Sequence, residues 1–245
     1  MPYYGYGYGY GFGFDPLYLV IVLVTTVIGL MAQNYVNSTY RRWSKVASDG
    51  ETGEQVARRM LDDLGCGRVG IRGTSGHLSD HYDPRDNNLY LSRENLSGGS
   101  VASVAVACHE AGHAAQRESG YFMMKVRHAL VPVVNFTQNI WTIVFLLGIM
   151  MNVAGLTTFA IALFAFSVIF QLVTLPVEID ASRRAVAYIE RSGMSEVNVR
   201  GARKVLTAAA LTYVAAALAS VMQLLYLLAR TNRNRDEWPF ASSHT

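Results

Sequence analysis

The most informative shortage in this 245-residue chain is a shortage of charge. Asp, Glu, Lys and Arg make up 16% of its residues, whereas soluble domains contain about 25%. Only two cysteines are present, which excludes a disulfide-rich secreted scaffold. The net charge of +3 is spread out without a dense basic segment, so nothing in the composition predicts nucleic-acid binding. With 51% hydrophobic residues, the chain is typical of an integral membrane protein with a modest soluble part.

Three long segments without any charged residue predict where the chain contacts the lipid bilayer. They lie between Asp15 and Arg41, between Arg127 and Glu178, and between Lys204 and Arg230. Because a spanning helix needs about 20 apolar residues, the outer two segments each predict one helix and the middle one predicts two, joined by a turn at 152–155. The predicted transmembrane helices are 17–36, 131–151, 156–175 and 208–228.

Lys and Arg are distributed unevenly between the two sides that these four helices define. Twelve lie in residues 37–128 and six in 177–204, whereas three follow the last helix and none precedes the first. An excess of Lys and Arg marks the cytoplasmic side of a membrane protein. We therefore expect segments 37–130 and 176–204 in the cytoplasm and both termini outside. Arg230, Arg233 and Arg235 are evidence against this topology, because it places these three basic residues outside.

The two ends of the chain are predicted to be tails. The first tail is residues 1–16. Within it, residues 1–14 are a Tyr-Gly and Phe-Gly alternation, and glycine at every second position makes an ordered structure costly. The start of the chain also lacks the basic region and the small-residue cleavage pattern of a signal peptide. Residues 229–245 form a polar tail at the other end.

The first cytoplasmic segment carries signals for a small α+β unit. Thr52 and Gln55 have the spacing of a capping box before an apolar helical stripe, and Gly65 is placed to end that helix. Ser100 can cap a second helix that runs to about residue 116. The unit is too small for a large core of its own, so we expect it to pack against the membrane helices.

Strand-like stretches at 69–72 and 89–92 lie between these helices, with turn signals at 83–84 and 87–88. The 89–92 stretch is either an edge to which an extended substrate adds as another strand or an ordinary strand of the sheet. His77 and His81 are four residues apart, but their neighbours predict a loop. One of them, His81 by preference, is a candidate catalytic donor to a transition-state oxyanion; the alternatives are a second metal site and plain loop structure.

The second predicted helix contains His109-Glu110-Ala111-Gly112-His113. Residues four apart share a helix face, so both imidazoles can reach one metal ion. Two histidines, one carboxylate and an open fourth position are typical of catalytic zinc, which lowers the pKa of a bound water towards about 7. Glu110 is placed to take the proton of that water and return it to a leaving amine. The alternative, two histidines on a solvated helix surface, conflicts with the apolar residues before the motif.

The third zinc ligand must come from elsewhere in the chain, and Glu178 is the best candidate. It is the first acidic residue after about 50 uncharged ones, on the side of the membrane assigned to the histidines. A carboxylate so near the hydrocarbon is costly without a partner, and zinc is such a partner. The alternative is an ion pair of Glu178 with Arg183 or Arg184.

With these residues in place, the chain resembles the bacterial neutral zinc metallopeptidases of the YugP type, which are membrane gluzincins related to the HtpX-like proteases. The resemblance extends from about residue 33 to residue 230. It is carried by the blocks at 38–45, 76–85, 89–92, 107–116 and 170–185. It implies a zinc metalloendopeptidase of the bacterial inner membrane with one zinc ion per chain. Its substrates would be proteins or peptides, membrane proteins among them, and its role would lie in membrane protein quality control.

One position departs from the HtpX-like pattern, in which an Asp follows the ligand Glu by four residues. This chain has Ser182 there, and its nearest acid is Asp180. Either Asp180 precedes the helix, or Ser182 and another residue orient the histidines.

The main rival function is a non-catalytic membrane scaffold or chaperone that keeps zinc for structure. Two further interpretations concern single features. Cys108 is predicted to be a core residue, with a redox or inhibitory role as the alternative. Asn135, Thr137, Gln138 and Asn139 are predicted to hydrogen-bond between membrane helices, with a polar pathway as the alternative.

Overall fold

The computed structural model describes residues 15–77, 79–151 and 153–236, so most of both predicted tails lies outside the described residues. Helices dominate the described chain, and a small sheet interrupts them once. In chain order the elements are α1 (Pro16–Trp43), α2 (Gly53–Asp63), β1 (Gly70–Thr74), β2 (His81–Asp83), β3 (Asn88–Ser92), α3 (Arg93–Leu96), α4 (Val101–Glu118), α5 (Phe122–Met150), α6 (Ala154–Arg191) and α7 (Glu196–Asp236).

Four of the described helices are long and apolar enough to cross a membrane: Pro16–Trp43, Phe122–Met150, Gly155–Arg191 and Glu196–Thr231. Their number agrees with the four helices predicted from the three charge-free segments of the sequence. Each helix is longer than its predicted span, because charged residues end an apolar stretch without ending backbone hydrogen bonding. As a consequence, Glu178 lies inside α6 and not in a separate segment after it.

The turn between the second and third of these helices falls where the sequence predicts it. Helix α5 ends at Met150 and α6 begins at Ala154. The two helices meet closely beside the turn, since a Cβ atom at Gly148 would lie 2.8 Å from the backbone nitrogen of Thr157. The α5 and α6 helices therefore form an antiparallel hairpin.

The predicted capping residues begin their helices as expected. At α2, Thr52 Oγ1 accepts a hydrogen bond from the backbone N–H of Gln55, and the Gln55 side chain accepts one from the backbone N–H of Thr52. At α4, Ser100 Oγ accepts from the backbone N–H of Ser103 at 3.1 Å. Each contact satisfies a backbone donor that a helix start leaves without a partner.

The sheet has three strands in the order β1-β3-β2, parallel between β1 and β3 and antiparallel between β3 and β2. Strand β3 is therefore central, and the interpretation of 89–92 as a substrate-binding edge is wrong. The prediction of a loop at His81 is also wrong, because His81 begins the edge strand β2. Turn signals on both sides of this three-residue strand favour a loop in the sequence.

The core of the small unit continues into the membrane helices. Helix α4 is buried along nearly its whole length, and Tyr40 and Trp43 of α1 belong to the same hydrophobic cluster as Val205 and Leu206 of α7. The unit thus shares its core with the ends of α1, α6 and α7, as its small size predicts.

At the other end of the bundle, the start of α1 meets the end of α7. The Asp15 carboxylate accepts hydrogen bonds from Tyr226 at 2.6 Å and from Arg230 at 3.4 Å. Arg230, one of the three basic residues that the predicted topology places outside, is therefore paired with an acidic residue. Within α5, Thr137 and Asn139 donate to carbonyls of their own helix, so among the described residues these two bond within α5 and not between helices as expected.

Candidate metal centre

The structure brings three predicted ligands together from two helices. His109 and His113 lie one turn apart on α4, and Glu178 lies on α6. The Glu178 Oε2 atom is 3.2 Å from Nε2 of His109 and 3.6 Å from Nε2 of His113. His113 and Glu178 are buried. Within the described parts of the chain, these are the three His, Cys, Asp or Glu side chains whose ligand atoms cluster, all within 4.8 Å of one another.

The spacing of these atoms fits a zinc ion. Zinc binds nitrogen and carboxylate oxygen at about 2.0–2.2 Å in a tetrahedron, which separates neighbouring ligand atoms by about 3.3 Å. The two nitrogen-to-oxygen distances above lie on either side of that value. One Glu and two His from neighbouring helices also leave a fourth position free for water or substrate.

The close approach of α4 to α6 depends on Gly112, the fourth residue of the motif. A Cβ atom at Gly112 would lie 2.7 Å from the carbonyl oxygen of Ala181 and 3.2 Å from its Cα atom. Real Cβ atoms do not approach a backbone oxygen so closely, so any larger residue would force the helices apart. The absence of a side chain at position 112 therefore brings Glu178 within reach of both histidines.

His113 is held in one orientation by Gln116, which is fully buried. The Gln116 amide nitrogen donates to the carbonyl oxygen of Val177 at 2.7 Å and to Asp180 Oδ2 at 2.9 Å. Its Oε1 atom therefore faces His113 Nδ1, at 3.0 Å. An oxygen can only accept, so His113 Nδ1 carries the proton and Nε2 presents its lone pair towards Glu178.

His109 is oriented from α6 by Ser182, whose Oγ atom lies 3.1 Å from His109 Nδ1. Asp180 is inside the same helix and acts through Gln116, while also accepting from Arg184 Nε at 2.6 Å. Of the two alternatives left open by the sequence, the structure supports the second. Ser182 contacts one imidazole directly, and Asp180 positions the amide that contacts the other, an arrangement that tunes ligand basicity in metal sites.

The second carboxylate oxygen of Glu178 is bound by Arg127 of α5. Arg127 Nη1 lies 3.1 Å from Glu178 Oε1, whereas Arg184 pairs with Asp180. Sequence reasoning missed Arg127, although a signal exists. Arg127 is the last charged residue before the long uncharged segment and Glu178 is the first after it, so an antiparallel hairpin brings the two together at its open end.

Glu110 is the fourth residue of the site. It is buried, and it lines a cavity of about 200 Å³ together with His109, Glu178 and Ser182. Burial raises the pKa of Glu110 to about 7, while the nearby His109 lowers it and the Glu178 charge raises it. The carboxyl group thus lies beside the metal-binding atoms in surroundings that favour holding a proton.

His81 and His77 are not among the clustered ligands, although His81 lies near enough to Glu110 to lower the pKa of that carboxyl group. His81 is exposed on β2, with Nδ1 at 2.9 Å from the Ser79 carbonyl oxygen and its ring stacked on Tyr90. His77 Nδ1 lies 2.9 Å from Glu94 Oε2. Neither is among the residues that line the cavity, so a catalytic role for His81 stays a prediction.

Cys108 directly precedes the motif and lies about 100° around α4 from His109. Its side chain is fully buried, and this burial raises the pKa of the thiol to about 12. Only a thiolate reacts readily, so the surroundings of Cys108 favour its interpretation as a core residue.

The chain was also compared with known proteins. A family model described as "Putative neutral zinc metallopeptidase" matches residues 18–232. The chain is 41% identical over 223 residues to "Putative membrane protease YugP" of Bacillus subtilis (strain 168), and the alignment covers 90% of this chain and 99% of that protein. No solved structure matches the chain.

Proposed function

The chain belongs to the putative neutral zinc metallopeptidase family, and we propose that it is a membrane-embedded zinc endopeptidase of the gluzincin type. The observation that carries this proposal is the convergence of two imidazole nitrogens and one carboxylate oxygen beside a buried glutamate. Two imidazole nitrogens and a carboxylate oxygen that converge in a buried site need a shared proton or a metal cation between them. A buried site with one position free for water is the arrangement of a catalytic zinc.

In the proposed mechanism, His109, His113 and Glu178 hold the zinc. When bound, this ion supplies a Lewis acid that activates water and polarises the carbonyl group of the scissile bond. Glu110 accepts the proton that the attacking water gives up and passes it to the leaving amine nitrogen. Arg127 holds the Glu178 carboxylate in its ligating orientation through the oxygen that faces away from the histidines.

The site lies where α4 packs against the ends of the long apolar helices. Because most Lys and Arg residues flank the same side of these helices, we propose that the catalytic unit faces the cytoplasm. Protein or peptide substrates would approach it at the membrane surface, those from membrane proteins included. This location suits a role in membrane protein quality control in the bacterial inner membrane.

The test compares wild type with Glu110→Gln and with Glu118→Gln, all purified in detergent and loaded to the same zinc content. Glu118 is exposed on the same helix, so its variant controls for the loss of one charge. We expect wild type and Glu118→Gln to cleave casein or a membrane-protein substrate, and Glu110→Gln to keep its zinc without cleaving. Cleavage by Glu110→Gln would refute the role of Glu110. A wild type that binds zinc but neither cleaves a substrate nor binds a hydroxamate would favour the non-catalytic scaffold or chaperone.

A further inference from the structure

The cavity beside the metal centre has two chemically different walls. On one side are the metal-binding and catalytic side chains of α4 and α6. On the other side, α1 and α7 contribute two tyrosines, Tyr40 and Tyr213, and a set of apolar or small side chains. The apolar and small residues are Val36, Val205, Leu206, Ala209 and Ala210.

The α7 part of this wall forms one continuous helix face. Positions 205, 206, 209 and 210 are spaced so that they line the same side of a helix. The two alanines leave room in front of the backbone that longer side chains would fill, so the space beside Glu110 results directly from the residue choice at 209 and 210.

The polar groups around the cavity are bound elsewhere. The Tyr40 hydroxyl donates to Asn95 Oδ1 at 2.8 Å, and Asp80 accepts from Ser92 and Asn95. Tyr213 interacts with the carboxylates of Glu178 and Glu110, on the side of the metal centre. The rest of the α1 and α7 wall has no charged side chain among the described residues, so a polar group placed against Val36, Ala209 or Ala210 would lose its hydration without gaining a partner.

We propose that this wall binds one large apolar side chain of the substrate, of the Leu or Phe class, next to the scissile bond. The proposal rests on the proposed peptidase function and names its substrate preference. An apolar cavity of about 150 Å³ holds a benzene ring. The cavity of about 200 Å³ includes the space beside the metal-binding residues as well as the space along the wall, and it has room for one such side chain. Because the wall belongs to helices apolar enough to span a membrane, the bonds it selects occur in apolar segments at the membrane boundary.

The first experiment fills the space in front of the wall with a larger side chain and measures the preference for the residue beside the scissile bond. The substrates are peptides with one scissile bond, in which the residue on one side or the other of that bond is Leu, Phe, Ala or Asp. Their cleavage is compared for wild type, Ala210→Leu and Ala216→Leu. Ala216 is exposed on the same helix and outside the cavity, so it is the matched control. Wild type and Ala216→Leu should prefer Leu or Phe over Ala by about 10-fold or more in kcat/KM, and Ala210→Leu should lose this preference while still cleaving the Ala peptide.

A second measurement does not depend on catalysis. Two hydroxamates, one with an isobutyl side chain and one without, are compared by their effect on thermal unfolding of the zinc-loaded proteins. The isobutyl compound should stabilise wild type and Ala216→Leu more than its partner does, and this difference should vanish in Ala210→Leu. If Ala210→Leu does not fold, Ala209→Leu replaces it in both experiments.

The outcomes separate this inference from the proposed function. A wild type that cleaves without preferring apolar neighbours, or an Ala210→Leu that keeps the isobutyl preference, would overturn the inference and leave the peptidase proposal standing. A zinc-loaded wild type that neither cleaves nor binds either hydroxamate would refute the proposed function and the inference with it.

Discussion

Replacing Gln116 with Met tests whether the orientation of His113 controls zinc binding. Met has a similar length but no amide, so all three hydrogen bonds of the Gln116 side chain are lost. Two of the partners have other contacts, because Asp180 keeps Arg184 and the Val177 carbonyl lies within a helix. The Nδ1–H group of His113 loses its partner and is buried.

The lost hydrogen bonds predict the changes in stability and in zinc affinity. A buried donor without a partner costs about 1–3 kcal/mol of unfolding free energy. Loss of the group that fixes a ligating imidazole costs about 10–100-fold in metal affinity, because His113 is then free to place its proton on Nε2. We therefore expect Gln116→Met to remain folded and to bind zinc about 10–100-fold more weakly than wild type.

Zinc affinity is measured in detergent by competition with a chromogenic chelator, and stability by thermal unfolding of the metal-free protein. Gln33→Met is the control, since Gln33 is exposed on α1 far along the chain from the ligands. A Gln116→Met protein that unfolds more easily but binds zinc as tightly as wild type would refute the reasoning. Gln116 would then act only as a packing residue.

Three further outcomes are expected. Glu178→Ala should lower zinc occupancy after desalting, because two imidazoles remain and Arg127 loses its partner; unchanged occupancy in metal analysis would place the third ligand elsewhere. Gly112→Ala should destabilise the fold by about 1–3 kcal/mol and weaken zinc binding, since the new methyl group meets the Ala181 carbonyl; equal unfolding midpoints in Gly112→Ala and wild type would contradict the contact. Zinc at 100 times its dissociation constant should stabilise wild type by about 2.7 kcal/mol and should stabilise Glu178→Ala less, which calorimetry in detergent with and without a chelator measures.

The helical part of the fold follows from short-range rules. An 18-residue apolar stretch cannot remain in water at low cost, so the lengths of the three charge-free segments indicate four long helices. The capping residues Thr52 and Ser100 act within one helical turn, and their effect is visible in the sequence for the same reason. The strand at His81 was missed because three residues carry too little pattern to be seen between two turn signals.

The sequence by itself determined the two histidines and the glutamate between them, because a helix fixes the geometry of residues four apart without help from the rest of the chain. It also indicated Glu178, through the cost of a lone carboxylate beside the hydrocarbon. Only the tertiary structure decided that Arg127 binds that carboxylate, that Gln116 orients His113 and that β3 is the central strand. These contacts join residues far apart in sequence, and they form only when helix packing and strand order bring their elements together, which no local pattern encodes.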